Sequence, residues 1–97
     1  MKNVIINKKE YEMIENYKDC FKVEETSPLL TEYFDDFDYV FGDYSYGKLR
    51  LKGFFESNSK KCKKYNNIDF YKKYLEEFCA KECPYFLIKK KITIEKK

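Results

Sequence analysis

Apolar residues recur at helical spacing twice along the chain. Leu29, Leu30, Tyr33, Phe34 and Phe37 fall on one helical face, and Thr31, Glu32, Asp35 and Asp36 fall on the other. This pattern predicts an amphipathic helix over Pro28–Phe37. Ser27 suits its N-cap, and Pro28 its first position, where the missing N–H costs nothing. The pattern returns over Ile68–Cys79, with Phe70, Tyr71, Tyr74, Leu75, Phe78 and Cys79 opposite Lys72, Lys73, Glu76 and Glu77. Asn67 or Asp69 can cap this second helix.

Strand patterns surround the helices. Asn3–Ile6 reads as a short strand. Tyr11–Tyr17 alternates imperfectly, with Tyr11, Met13, Glu15 and Tyr17 against Glu12, Ile14 and Asn16. Tyr39–Phe41 and the run holding Leu49, Leu51 and Phe54 form a strand pair joined by a turn or short loop at Gly42–Gly47. Tyr85–Ile88 is a last strand after Pro84. Tyr17–Glu25 reads as a loop or irregular turn, and Glu56–Asn67 as a polar loop. The order predicted is β-β-α-β-β-α-β: an α+β fold in a single small domain. Its sheet would be mixed or mostly antiparallel, packed by two amphipathic helices. The domain spans residues 1–90, and 91–97 form a basic tail in which Ile92–Ile94 either extends the sheet or stays loose.

Composition narrows the picture. A chain of 97 residues, 43% of them hydrophobic, supports one core. Apolar runs of three or four residues are too short to span a membrane, and Met1–Ile6 does not resemble a secretion signal. The expectation is a cytoplasmic monomer away from membranes, with its four cysteines reduced. Nineteen of the 20 basic residues are lysine, in a chain rich in Asn, Ile, Tyr and Phe. That bias is typical of AT-rich coding sequence, so lysine abundance alone does not specify a partner. Its distribution says more: residues 1–59 carry 8 basic and 12 acidic side chains, and residues 60–97 carry 12 and 5. This asymmetry predicts either an acidic and a basic face or a basic tail on a neutral body.

All three glycines, Gly42, Gly47 and Gly53, and the single arginine, Arg50, lie within twelve residues. The run from Phe37 to Phe55 includes Tyr39-Val40-Phe41-Gly42-Asp43-Tyr44 and then Tyr46-Gly47-Lys48-Leu49-Arg50-Leu51-Lys52-Gly53-Phe54. It resembles the central motif of the YutD family. Phe78-Cys79-Ala80-Lys81-Glu82-Cys83-Pro84-Tyr85-Phe86 is similar to that family's aromatic-Cys-x-x-x-Cys-x-Tyr-Phe ending, and Tyr11–Phe21 to its N-terminal hairpin and sequel. The resemblance covers most of residues 4–90. Phe37 and Tyr44 depart from it, standing where members often have Tyr and Trp. What the resemblance implies is a fold and a marked surface, without a reaction.

The residues themselves exclude much chemistry. Without histidine there is no Ser-His or Cys-His catalysis, and no phosphate-binding glycine loop occurs. A restriction-like nuclease, a remote alternative, would need an acidic-x-Lys pair after Asp43, but Arg50-Leu51-Lys52 puts a cation there. Four cysteines could form a Cys₄ zinc site from Cys20, Cys62, Cys79 and Cys83, yet tight CxxC pairs are lacking. Buried free thiols, with no metal and no cofactor, are therefore expected. Gly42, Gly47 and Gly53 read as turn or close-approach residues. Arg50 offers a planar fork that lysine cannot imitate. It either locks the hairpin to Asp43 or Asp38, or grips a phosphate or a partner's carboxylate.

Two readings of function remain. The first is a non-enzymatic module binding RNA or a ribonucleoprotein through Asp43, Tyr44, Tyr46, Lys48, Arg50 and Lys52. Lys60, Lys61, Lys63, Lys64 and Lys89–Lys91 would add phosphate contacts. The second is a protein-interaction adaptor, using the acidic first helix (Glu32, Asp35, Asp36) or an open sheet edge. The first requires the lysine loop, the lysine tail and Arg50 to share one face.

Overall fold

A computed structural model describes residues 2–45, 47–79 and 82–91. Its centre is an antiparallel sheet of β1 (Lys2–Ile6), β2 (Lys9–Tyr17), β3 (Tyr39–Ser45), β4 (Lys48–Phe54) and β5 (Tyr85–Lys90). The strands lie in the order β1-β2-β5-β3-β4, so the last strand inserts between two hairpins. Lys91 follows β5, and residues 92–97 of the expected tail lie outside the described residues.

β5 alternates completely and so is covered on both faces. Phe86 and Ile88 join one core with Ile6, Tyr11, Met13, Val40 and Leu30. Leu87 joins another with Phe41 and Phe54. The first face, here the front, is covered by residues 20–37. The second, the back, is covered by α2 (Tyr71–Phe78) and the 3-10 turn before it, Ile68–Phe70. Both faces are thus packed, as the two apolar stripes require.

The first covering segment is not the single helix expected over 28–37. A four-residue helix, α1 (Val23–Thr26), comes first, and a 3-10 turn follows at Glu32–Asp36. Ser27 is a C-cap rather than an N-cap, and Thr31 is extended. The reason lies in the β1–β2 turn. Asn7 and Lys8 both have positive φ (52° and 70°), as a two-residue hairpin of the primed type requires. The Asn7 amide then donates to Ser27 O at 3.2 Å and Leu30 O at 3.0 Å, and Ser27 Oγ donates back to Asn7 Oδ1. Carbonyls that a continuing helix would bond internally are held from outside, and Leu30 is pressed into the front core. Leu29 and Tyr33, expected on the buried face, are exposed.

The second helix expectation, 68–79, differs at both ends: its first turn is 3-10 and capped by Asn67, and Cys79 is an extended C-cap outside the helix. In β2 the broken alternation has a structural cause. A bulge at Ile14 separates the Met13–Ile88 and Glu15–Leu87 pairs. Met13 therefore joins the front core, whereas Ile14 packs behind and Glu15 accepts from Tyr71 on α2.

The glycines also need correction. β3 runs through Gly42 to Ser45, so the turn is shorter than expected, and only Gly47, at φ 82°, is a turn residue. Gly42 and Gly53 are mid-strand. A Cβ on Gly42 would stand 2.3 Å from the Phe86 ring, and one on Gly53 2.2 Å from the Phe37 ring. Both are places where an aromatic ring lies directly on the backbone.

Candidate functional site

The back face carries the polar cluster. Asp43 on β3 and Arg50 on β4 are directly paired in register. Two-residue periodicity puts both side chains under α2, beside Phe41 and Lys52. Asp43 is 1% exposed and Arg50 35%. Arg50 Nη2 donates to Asp43 Oδ2 at 2.9 Å and lies 3.9 Å from Cys79 Sγ. The hydrogen bond to Asp43 raises the Arg50 pKa, against the opposing cost of burial. Asp38, the other partner weighed for Arg50, instead accepts from the Glu56 amide at 2.9 Å.

Cys79 closes α2 with an extended backbone. Cys83 is fixed between Glu82, held at φ 58°, and Pro84, whose carbonyl accepts from the Tyr44 amide at 3.0 Å. One carboxylate oxygen of Asp43 and the two sulfur atoms lie within 4.8 Å of one another. Burial, then the charge of Asp43, pushes the Cys79 thiol up to about 12, with Arg50 opposing. A thiol held protonated in this way is a poor nucleophile. The Cys₄ set does not assemble: among the described residues, Asp43 rather than Cys20 or Cys62 joins Cys79 and Cys83.

The two cysteines also wall a cleft of about 480 Å³ beside the end of α2. Leu75, Tyr17 and Tyr85 form its other apolar walls, and Glu76 and Glu82 its acidic rim. Tyr17 and Tyr85 stack with centroids 5.2 Å apart. Tyr71 donates to Glu15 at 2.7 Å, and burial, with that bond second, raises the Tyr71 pKa.

The residues singled out from sequence are not one surface. Tyr44 points to the front face, opposite to Arg50, and its hydroxyl donates to Glu25 on α1 at 2.5 Å. Tyr46 lies outside the described residues. Lys48 is exposed at the start of β4. Lys52 lies over the Phe54 and Tyr74 rings, where burial lowers its pKa. Lys60, Lys61, Lys63 and Lys64 are exposed in the loop beyond β4, and Lys61 reaches Asp36 on the front at 3.6 Å. Lys89 pairs with Glu56 at 3.2 Å, and Lys90 donates to the Asp35 carbonyl. The cleft itself was not foreseen. Cys79-x₃-Cys83 was its one visible signal, and strand register was needed to add Asp43.

Comparison with known proteins follows the same architecture. The family model described as "Putative antitoxin YutD-like" matches residues 5–89. The "Putative antitoxin YutD" of Bacillus subtilis (strain 168) is 34% identical over 87 residues, which cover 90% of this chain and 96% of that protein. The solution NMR structure of protein yutD from B. subtilis is similar with a TM-score of 0.78 at 32% identity. That match covers 99% of this chain and 87% of the other.

Proposed function

The chain belongs to the YutD-like family, and from that premise we propose that it is a non-catalytic, antitoxin-like module that binds a protein partner. The observation that carries this reading is the cleft at the end of α2. It is open, walled by Tyr17, Leu75 and Tyr85, and rimmed by Glu76 and Glu82. Such a site accepts an apolar side chain flanked by lysine or arginine on the partner. The description of the relatives as antitoxins fits a role in which the partner is held rather than chemically altered.

The RNA reading has less support. It needs the lysine loop, the lysine tail and Arg50 on one face, but Arg50 bonds Asp43 on the back while Lys61 of the loop reaches Asp36 on the front. Lys61 and Lys89 each face a carboxylate, which weakens the basic field expected from residues 60–97. The nuclease alternative is weaker still, because the Asp43 carboxylate is engaged by Arg50.

Affinity purification from the protein's own cells, with and without RNase, separates the readings. The expected result is a protein partner that survives RNase and is lost when Tyr17→Ser is combined with Glu76→Lys, two changes at exposed positions. Replacing Lys60, Lys61, Lys63 and Lys64 by serine should leave it bound. Loss with the loop lysines and with RNase, but not with the cleft variant, would establish the RNA reading instead.

A further inference from the structure

We propose that Asp43, Cys79 and Cys83 form a binding site for a thiophilic divalent cation, zinc in the first place, at the inner wall of the cleft. Nothing in the protein-partner reading requires it. Three ligand atoms of the right kind already converge within 4.8 Å. Tetrahedral zinc, with bonds of about 2.3 Å to sulfur and 2.0–2.2 Å to oxygen, sets neighbouring ligand atoms roughly 3.6–3.8 Å apart. The site therefore needs a contraction of about 1.2 Å at most. Two sulfurs and one oxygen suit zinc rather than magnesium or calcium, which select all-oxygen sets. Both cysteines border the cleft, so a fourth ligand, water or a partner side chain, has a way in.

Arg50 looks like an obstacle, and charge accounting removes it. The metal-free cluster holds one carboxylate, one guanidinium and two neutral thiols. A divalent ion that displaces the two thiol protons adds two positive charges and exposes two thiolates. The net charge of the buried cluster is unchanged. A single carboxylate beside Arg50 could not offer this to magnesium, which is the difficulty for a nuclease. Arg50 instead becomes the outer partner that orients the Asp43 ligand through its bond to Oδ2. The backbone supports the arrangement. Cys83 sits between a left-handed Glu82 and Pro84, on a segment pinned to β3 by the bond from the Tyr44 amide, so its position is set before any ion arrives.

The test uses reduced, chelator-dialysed protein titrated with cobalt(II), whose thiolate charge-transfer and tetrahedral d–d bands report ligation directly. Wild type and Cys62→Ser should give both bands at one equivalent, and zinc should bleach them. Cys79→Ser and Cys83→Ser should lose the thiolate band or leave a fraction of it, while their far-UV circular dichroism stays that of wild type. A second readout guards against misfolding: saturating zinc should raise the melting temperature of wild type and Cys62→Ser, but not of Cys83→Ser. Absence of a stoichiometric thiolate band in wild type would overturn the proposal. So would a full band in Cys83→Ser, or a band that depends on Cys62.

Discussion

Arg50 is where the two readings of one residue can be separated by measurement. Its partner Asp43 is almost fully buried, and the bond between them is 2.9 Å. A lysine at 50 would keep the charge but replace a planar fork with a single ammonium on a different reach. Arg50→Lys should therefore lower unfolding free energy by about 1–3 kcal/mol, the range for a hydrogen bond to a buried charged group. Lys60→Ala, an exposed change without such a feature, should stay within about 0.5 kcal/mol. Urea denaturation of both variants decides the matter. Unchanged stability in Arg50→Lys, with lost partner binding, would move Arg50 from scaffold to ligand contact. The fork was readable from sequence because one arginine stood among nineteen lysines. Its partner was not: Asp38 and Asp43 were equal candidates until register placed one beneath α2 and the other at the Glu56 amide.

At the scale of elements, the strands and the second helix were legible because alternation and 3.6-residue spacing are local properties. The first helix was misread because its fate is decided twenty residues away. The stripe Leu29–Phe37 is apolar at helical spacing, yet Asn7 captures the carbonyls of Ser27 and Leu30 and turns the chain before the second half begins. Tertiary hydrogen bonds thus override a pattern whose own helical preference is weak. The bulge at Ile14 is a similar case, since imperfect alternation signals it only once the partner strand is known. Asn7 also tolerates the left-handed backbone its turn requires. Asn7→Ala should accordingly combine a strained turn with three lost bonds and destabilise the chain by roughly 1–3 kcal/mol. Hydrogen exchange gives the sharper readout. Amides of residues 29–34 should exchange faster in the variant, while those of β3 and β5 lose protection only as far as global stability falls. Equal loss everywhere would mean that Asn7 does not specifically anchor the covering segment.

For the whole molecule, folding brings the acidic and basic parts of the chain into contact. Lys9–Asp35, Lys61–Asp36 and Lys89–Glu56 mix the charges, two of these pairs joining the acidic and basic parts of the chain. Among the described residues no helix is long and apolar enough to cross a membrane. What distinguishes the fold is its dependence on neutral tyrosine. Tyr11, Tyr39, Tyr44, Tyr71, Tyr74 and Tyr85 all have raised pKa values, burial being the first cause in each. For Tyr44 and Tyr71, bonds to Glu25 and Glu15 add to it. A hydroxyl whose pKa is raised by folding contributes nothing to pH dependence well below its ordinary value of 10.0. Above that value the unfolded chain ionises first, so protons are released on unfolding and stability falls as pH rises. The paired Lys9 and Lys89, also raised, act in the same direction, and Lys52, lowered by burial, acts against them. The thiols of Cys20 and Cys79, raised from 9.0 by burial, act in the same direction from lower pH, so urea midpoints should be nearly flat around pH 7, begin to fall towards pH 9 and drop steeply above about 10. Tyr71→Phe should be less stable at neutral pH and lose less between pH 9 and 11, because one of the titrating hydroxyls is gone. A wild-type protein equally stable at pH 8 and pH 11 would show that these phenols ionise as readily in the fold as outside it.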